Sequence, residues 1–172
     1  MAGRWGALAT QGRLVDVPAR GTLAAASVSH AVVAEAQTAY LAGHNTWGQL
    51  GQGRTSVWGT ARIALPDRIV SAAAGLGFTC LATSDALYVS GTNVRGQMGL
   101  DQERGSLSFQ RLALPAVRSV CAGLDHMLVL AGAQVWACGL HTDRQLGVPS
   151  RAPYLAALER VAIPLALSLI HI

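Results

Sequence analysis

The chain has 172 residues, 51% of them apolar and 13% charged, with a formal net charge of +4. That balance excludes a disordered polyelectrolyte, and the length suits one domain or part of one. All 13 basic residues are arginine, so chemistry that needs a lysine, such as a Walker phosphate loop or a Schiff base, is excluded.

Residues 1–13 carry Arg4 and Arg13 and no acid. The segment is left unassigned, with a faint transit-peptide cast that keeps a mitochondrial destination beside a cytoplasmic or nuclear one. From residue 14 to residue 163, apolar runs alternate with Gly, Asp and Ser, as strands alternate with turns. A first unit covers about 14–61, with a fourth strand expected between Ser56 and Leu65. A second covers 62–110, with strands expected at Ile69–Ala74, Phe78–Ala82 and Leu87–Ser90 and a fourth between Arg104 and Leu114. A third covers 111–148, with strands at Ser119–Ala122, His126–Leu130 and Gln134–Cys138. A further unit starts near 161. The tail 164–172 fits no repeat column and is expected to be truncated or artefactual. The apolar stretch Val161–Ile172 is interrupted by Pro164 and falls short of the ~18–20 residues of a membrane helix.

Internal repetition decides the fold. Gly43, Gly91 and Gly139 recur at a step of 48, as do Gln49, Gln97 and Gln145, and Gly51, Gly99 and Gly147. Leu50, Met98 and Leu146 fill the slot between the last two columns. Tyr40, Tyr88 and Trp136 keep the same step, and so do His30, Phe78 and His126. Several short antiparallel strands per unit of about 45–50 residues describe a propeller blade.

The segments Gly43–Gly53 and Gly91–Gly99 resemble the G-x-N-x-x-G-Q-L-G core of RCC1 (regulator of chromosome condensation) repeats. Ala74–Ala82 and Ala122–Leu130 are similar to the preceding C/A-G-x-x-H-T-x-A-L segment. Tyr40, Tyr88 and Trp136 match the aromatic of the V-Y-x-W-G strand, whose tryptophan is replaced by Ala42, Ser90 and Cys138. The resemblance covers about residues 14–148. It implies an all-β, RCC1-type propeller, here partial: about three to three and a half blades of an expected ring of roughly seven. In the third unit His141 replaces the asparagine, and Arg144 replaces the glycine found at Gly48 and Gly96. Arginine tolerates positive φ poorly, so this turn is expected to differ in backbone detail.

No catalytic, cofactor-binding or metal-binding residue is expected. Gly48–Thr55 imitates a phosphate loop, but its glycines belong to the repeat and no helix pattern follows. Cys80, Cys121 and Cys138 have neither disulfide parity nor zinc spacing. The histidine column admits Phe78, which marks a packing position. Binding is expected in the variable segments Gln52–Arg62, Leu100–Arg111 and Val148–Leu158. Their candidates are Asp101, Glu103, Arg104, Arg151 and Tyr154, with Trp47 and Trp58 as exposed loop aromatics. The expected function is a non-catalytic protein-interaction scaffold. The resemblance also implies guanine-nucleotide exchange on a small GTPase, although the even spacing leaves no room for a long inserted wedge. A chromatin platform is the third reading. The arginines are scattered singly, which disfavours nucleic acid as a partner, and a ring closed by two copies is disfavoured because both edges would have to match.

Overall fold

A computed structural model of the chain describes residues 8–10, 13–15, 23–102 and 104–162. Among them there is no helix, and hence none long and apolar enough to cross a membrane. A small hairpin pairs β1 (Leu8–Thr10) with β2 (Arg13–Val15). Three four-stranded antiparallel sheets follow, each a meander in which sequence order is spatial order.

The first blade is β3 (Leu23–Ala26), β4 (His30–Glu35), β5 (Thr38–Asn45) and β6 (Ser56–Ala64). The second is β7 (Ser71–Ala74), β8 (Phe78–Ala82), β9 (Ala86–Gly91) and β10 (Ser106–Ala113). The third is β11 (Val117–Ala122), β12 (His126–Ala131), β13 (Gln134–Leu140) and β14 (Tyr154–Arg160). The partial propeller expected from the repeat is therefore what the chain forms.

Burial explains why the sheets stack. A four-stranded sheet exposes two apolar faces, and a blade hides both only between neighbours. The second blade has a neighbour on each side, so β8 and β9 are buried along their whole length. In β12 of the third blade burial largely alternates instead. Two apolar cores fill the junctions. One joins Val32, Leu41 and Leu50 of the first blade to Leu81 and Tyr88 of the second. The other joins Phe78, Val89 and Met98 of the second to Val120, Met127 and Val129 of the third.

One expectation needs correction. The fourth strands expected between Ser56 and Leu65 and between Arg104 and Leu114 are β6 and β10, but the segments Gln52–Arg62, Leu100–Arg111 and Val148–Leu158 are not variable loops throughout, because each runs into an outer strand, β6, β10 or β14. Trp58 thus lies on β6 and Tyr154 on β14, both half-buried, rather than on loops. Outer strands are solvent-exposed along much of their length, so their sequences carry the polar, irregular look of loops.

Candidate protein-binding surface

The loop after the third strand of each blade is built on one plan. In the first, the Asn45 side-chain oxygen accepts the Leu50 N–H at 2.9 Å, while its Nδ2 donates to the Arg54 carbonyl at 2.9 Å. Gln49 Oε1 accepts the Trp47 N–H at 3.0 Å. The second loop repeats this: Asn93 Oδ1 accepts from Met98 N–H at 2.8 Å, Asn93 Nδ2 donates to Gln102 O, and Gln97 Oε1 accepts from Arg95 N–H at 2.9 Å. These side chains are buried, and each satisfies backbone groups that a tight turn would otherwise strand.

The third loop keeps the plan with different atoms, which overturns the expectation of a different turn. Arg144 adopts φ 57°, beside 78° at Gly48 and 70° at Gly96. The turn bonds are also retained, Arg144 N–H to His141 O at 3.0 Å and Gly147 N–H to Arg144 O at 3.1 Å. His141 stands in for asparagine: Nδ1 accepts from Leu146 N–H at 3.4 Å and Nε2 donates to Val148 O at 3.2 Å. Gln145 Oε1 accepts from Asp143 N–H at 2.9 Å. The surrounding bonds hold Arg144 in a left-handed conformation that costs on the order of 1 kcal/mol.

The first two loops are each sealed by the following blade. Gly53 N–H donates to Leu107 O at 2.8 Å, and Asp101 N–H to Ala156 O at 3.0 Å, so outer strands β10 and β14 lie against the preceding loops. A Cβ on Gly48 would sit 2.7 Å from the Leu107 Cα, and one on Gly96 would sit 2.6 Å from the Ala156 Cα. The small residues in the tryptophan column add to the seal. Ser90 Oγ donates to Gly48 O at 2.7 Å, and Cys138 Sγ lies 3.6 Å from Gln97 O. The Gly48–Thr55 phosphate-loop look-alike is thus occupied by a blade junction.

A buried histidine completes the first junction. His30 is 4% exposed, and its Nε2 lies 2.6 Å from Thr79 Oγ1. That hydroxyl donates onward to Gln49 O at 2.7 Å, so the imidazole proton sits on Nε2. Burial pulls the His30 pKa down to about 4. Burial likewise pushes the Cys138 thiol up to about 12 and Cys80 higher still. Cys121 is exposed.

The expected contact residues that are described lie in the loops after β5, β9 and β13 or in the first three residues of β6 and β14. Trp47 is 48% exposed and lays its ring over Gly77. At the next junction the same two positions carry Arg95 and Asp125, which form an ion pair at 3.6 Å. Asp101, Arg104 and Arg151 are exposed, and Glu103 lies outside the described residues.

Sequence reasoning found Trp47 but missed the set to which it belongs. Among the described residues the exposed large apolar side chains are Val28, Trp47, Val57, Val94, Leu107, Leu124 and Leu130. All but Leu130 lie at one end of the blades: in the turns β3–β4 and β11–β12, in the loops after β5 and β9, or at the second residue of β6 and β10. Among the described residues, the turns at the opposite end carry none of them.

No family model matches the chain, and no curated protein matches it in sequence. Solved structures do match. Human WBSCR16 superposes with a TM-score of 0.72 at 20% identity, over 87% of this chain and 43% of that one. Prp20p from Saccharomyces cerevisiae, described with its binding to Gsp1p and histones, gives 0.73 at 20% identity over 85% and 39%. Yeast RCC1 (Prp20) bound to Kap60 gives 0.71 at 21% identity over 83% and 37%. The fold is the RCC1-type propeller.

The chain spans less than half the length of these RCC1-type structures. Within that fold, the asparagine and glutamine columns close loops, the glycine columns admit the next blade, and the histidine column packs. Among the described residues, no group of three or more His, Cys, Asp or Glu is placed to hold a metal ion.

Proposed function

We propose that the chain belongs to a non-catalytic scaffold that binds a protein partner through one end of its blades. The observation that carries this reading is the gathering of Val28, Trp47, Val57, Val94, Leu107 and Leu124 at that end. Exposed apolar side chains cost free energy in water, and such collections mark surfaces that another protein covers. Trp47 is the natural anchor, since tryptophan is enriched among residues that dominate binding energy. Replacing Trp47, Val94 and Leu124 together by serine tests the reading. Capture of specific partners from extract should fall at least tenfold while the melting temperature holds. Equal capture by both chains counts against it.

A second reading, guanine-nucleotide exchange on a small GTPase, is favoured by the likeness to Prp20p, described with Gsp1p. Exchange needs only preferential binding of the nucleotide-free state, so it demands no acid–base pair. Release of fluorescent GDP from a GTPase panel should accelerate in the presence of the chain, and an unchanged rate removes this reading. The platform on chromatin has one observation behind it, the mention of histones for that same neighbour. It predicts DNA or histone retention that falls steeply with salt, and salt-independent retention sinks it. An intracellular location, cytoplasmic, nuclear or mitochondrial, goes with all three readings and is checked by imaging a tagged chain.

A further inference from the structure

The third loop breaks the sealing rule of the first two, and it does so at two independent positions. Gly48 and Gly96 are glycine because the next outer strand passes within a Cβ radius of them. The equivalent residue in the third loop is Arg144, one further step of 48 along. Its side chain stands where β10 and β14 lie in the earlier junctions. The N–H groups of Gly53 and Asp101 donate to that crossing strand. A further step of 48 falls on Pro149, which has no N–H to give. The loop also closes sooner. His141 reaches the carbonyl seven residues on, whereas Asn45 and Asn93 reach nine. A strand seated as β10 and β14 are seated meets a side chain and finds no donor.

What the third loop offers instead is a cleft of about 480 Å³ lined by His141, Thr142, Arg144, Ser150, Arg151 and the neighbouring Ala152 and Pro153. Both charged side chains in the lining are arginines, exposed and able to swing, and no carboxylate lines it. Asp143, on the same turn, stands outside the lining. We propose that this cleft takes an extended acidic segment of a partner polypeptide, with carboxylates paired to Arg144 and Arg151. Guanidinium is suited to this task because its planar fork accepts a carboxylate in two parallel hydrogen bonds. The chemistry also explains why position 144 keeps arginine in a strained left-handed conformation: glycine serves a crossing backbone, and arginine serves a charge. The proposal rests on the reading that the chain binds protein, and it names one chemistry for that partner.

The test is fluorescence anisotropy of the 172-residue chain with a labelled peptide of alternating glutamate and valine, beside the same peptide with glutamine for glutamate. The glutamate peptide should bind at least tenfold more tightly, and more weakly as salt rises. Arg144→Gly restores the residue of the other two loops at a left-handed φ, so it threatens neither fold nor turn. It should weaken the glutamate peptide by roughly five- to tenfold, and Arg151→Ser should do likewise. No binding, equal binding of the two peptides, or an affinity unmoved by Arg144→Gly overturns the proposal. So does an oligonucleotide that binds this cleft in preference to the peptide. No extract is used, so this result stands apart from the capture experiment: peptide binding with failed capture refutes the apolar end alone.

Discussion

At the scale of single residues, His30 shows how a repeat position acquires chemistry it does not use. A column that admits Phe78 is a packing column, and His30 packs there with its ring neutral. Its pKa near 4 in the fold, against 6.5 in an open chain, makes the unfolded state bind more protons between those values. Its contribution to stability is therefore complete above pH 6.5 and falls progressively as the pH drops toward 4. At about 1.4 kcal/mol per pH unit, the whole span is worth roughly 3 kcal/mol. The variant His30→Phe, which copies the second blade, should lose this part of the pH dependence. Urea melts at pH 7 and pH 4.5 check it: the wild type should lose about 2–3 kcal/mol more than the variant, and parallel losses would show that His30 does not titrate as described. The glutamine positions were legible as structural from their recurrence, and the asparagine positions from the resemblance of the loops to RCC1 repeats. That His141 stands at the asparagine position was legible too; that it does the same work was not, because equivalence depends on where two ring nitrogens point.

At the scale of elements, the junctions between blades hold the stack together. Gly96→Ala places a Cβ against the backbone of β14 at Leu155 and Ala156, in a left-handed φ. Backbone cannot swing aside, so the loss should be about 3 kcal/mol or more. Arg144→Gly, at the matching position of the third loop, should be neutral or gain up to about 1 kcal/mol. Thermal melts of the two variants separate the sealed loop from the unsealed one, and equal destabilisation would contradict the assignment. The inner strands were readable because their apolar runs are short, dense and bounded by turns. Two outer strands were expected where β6 and β10 lie, while β14 was read only as a variable segment. In β6 and β10 exposed and half-buried residues are mixed, so no period of two announces them. Their pairing is fixed by β5 and β9, a relation that lies in three dimensions rather than in the residues themselves. The positive φ of Arg144 belongs to the same class of fact, since a turn held by its neighbours overrides the preference of one residue.

At the scale of the whole molecule, the step of 48 made the architecture legible before any coordinate was known. A repeat that cannot bury its own faces requires neighbours, and the second blade, hidden on both sides, shows what that requirement produces. The proposed binding surface was far less legible. Val28, Val94 and Leu124 are apolar residues beside turns, and in a sequence they look like the rest of the core. Only the alignment of three blades puts them at one end and leaves them exposed. The central claim, that this end is where a protein partner binds, is tested most directly by hydrogen–deuterium exchange of the chain with a captured partner. Exchange should slow in residues 27–29, 45–58, 92–107 and 123–125, with the turns 36–37, 83–85 and 132–133 unchanged. Protection confined to those opposite turns, or spread along the exposed outer strands, would contradict it.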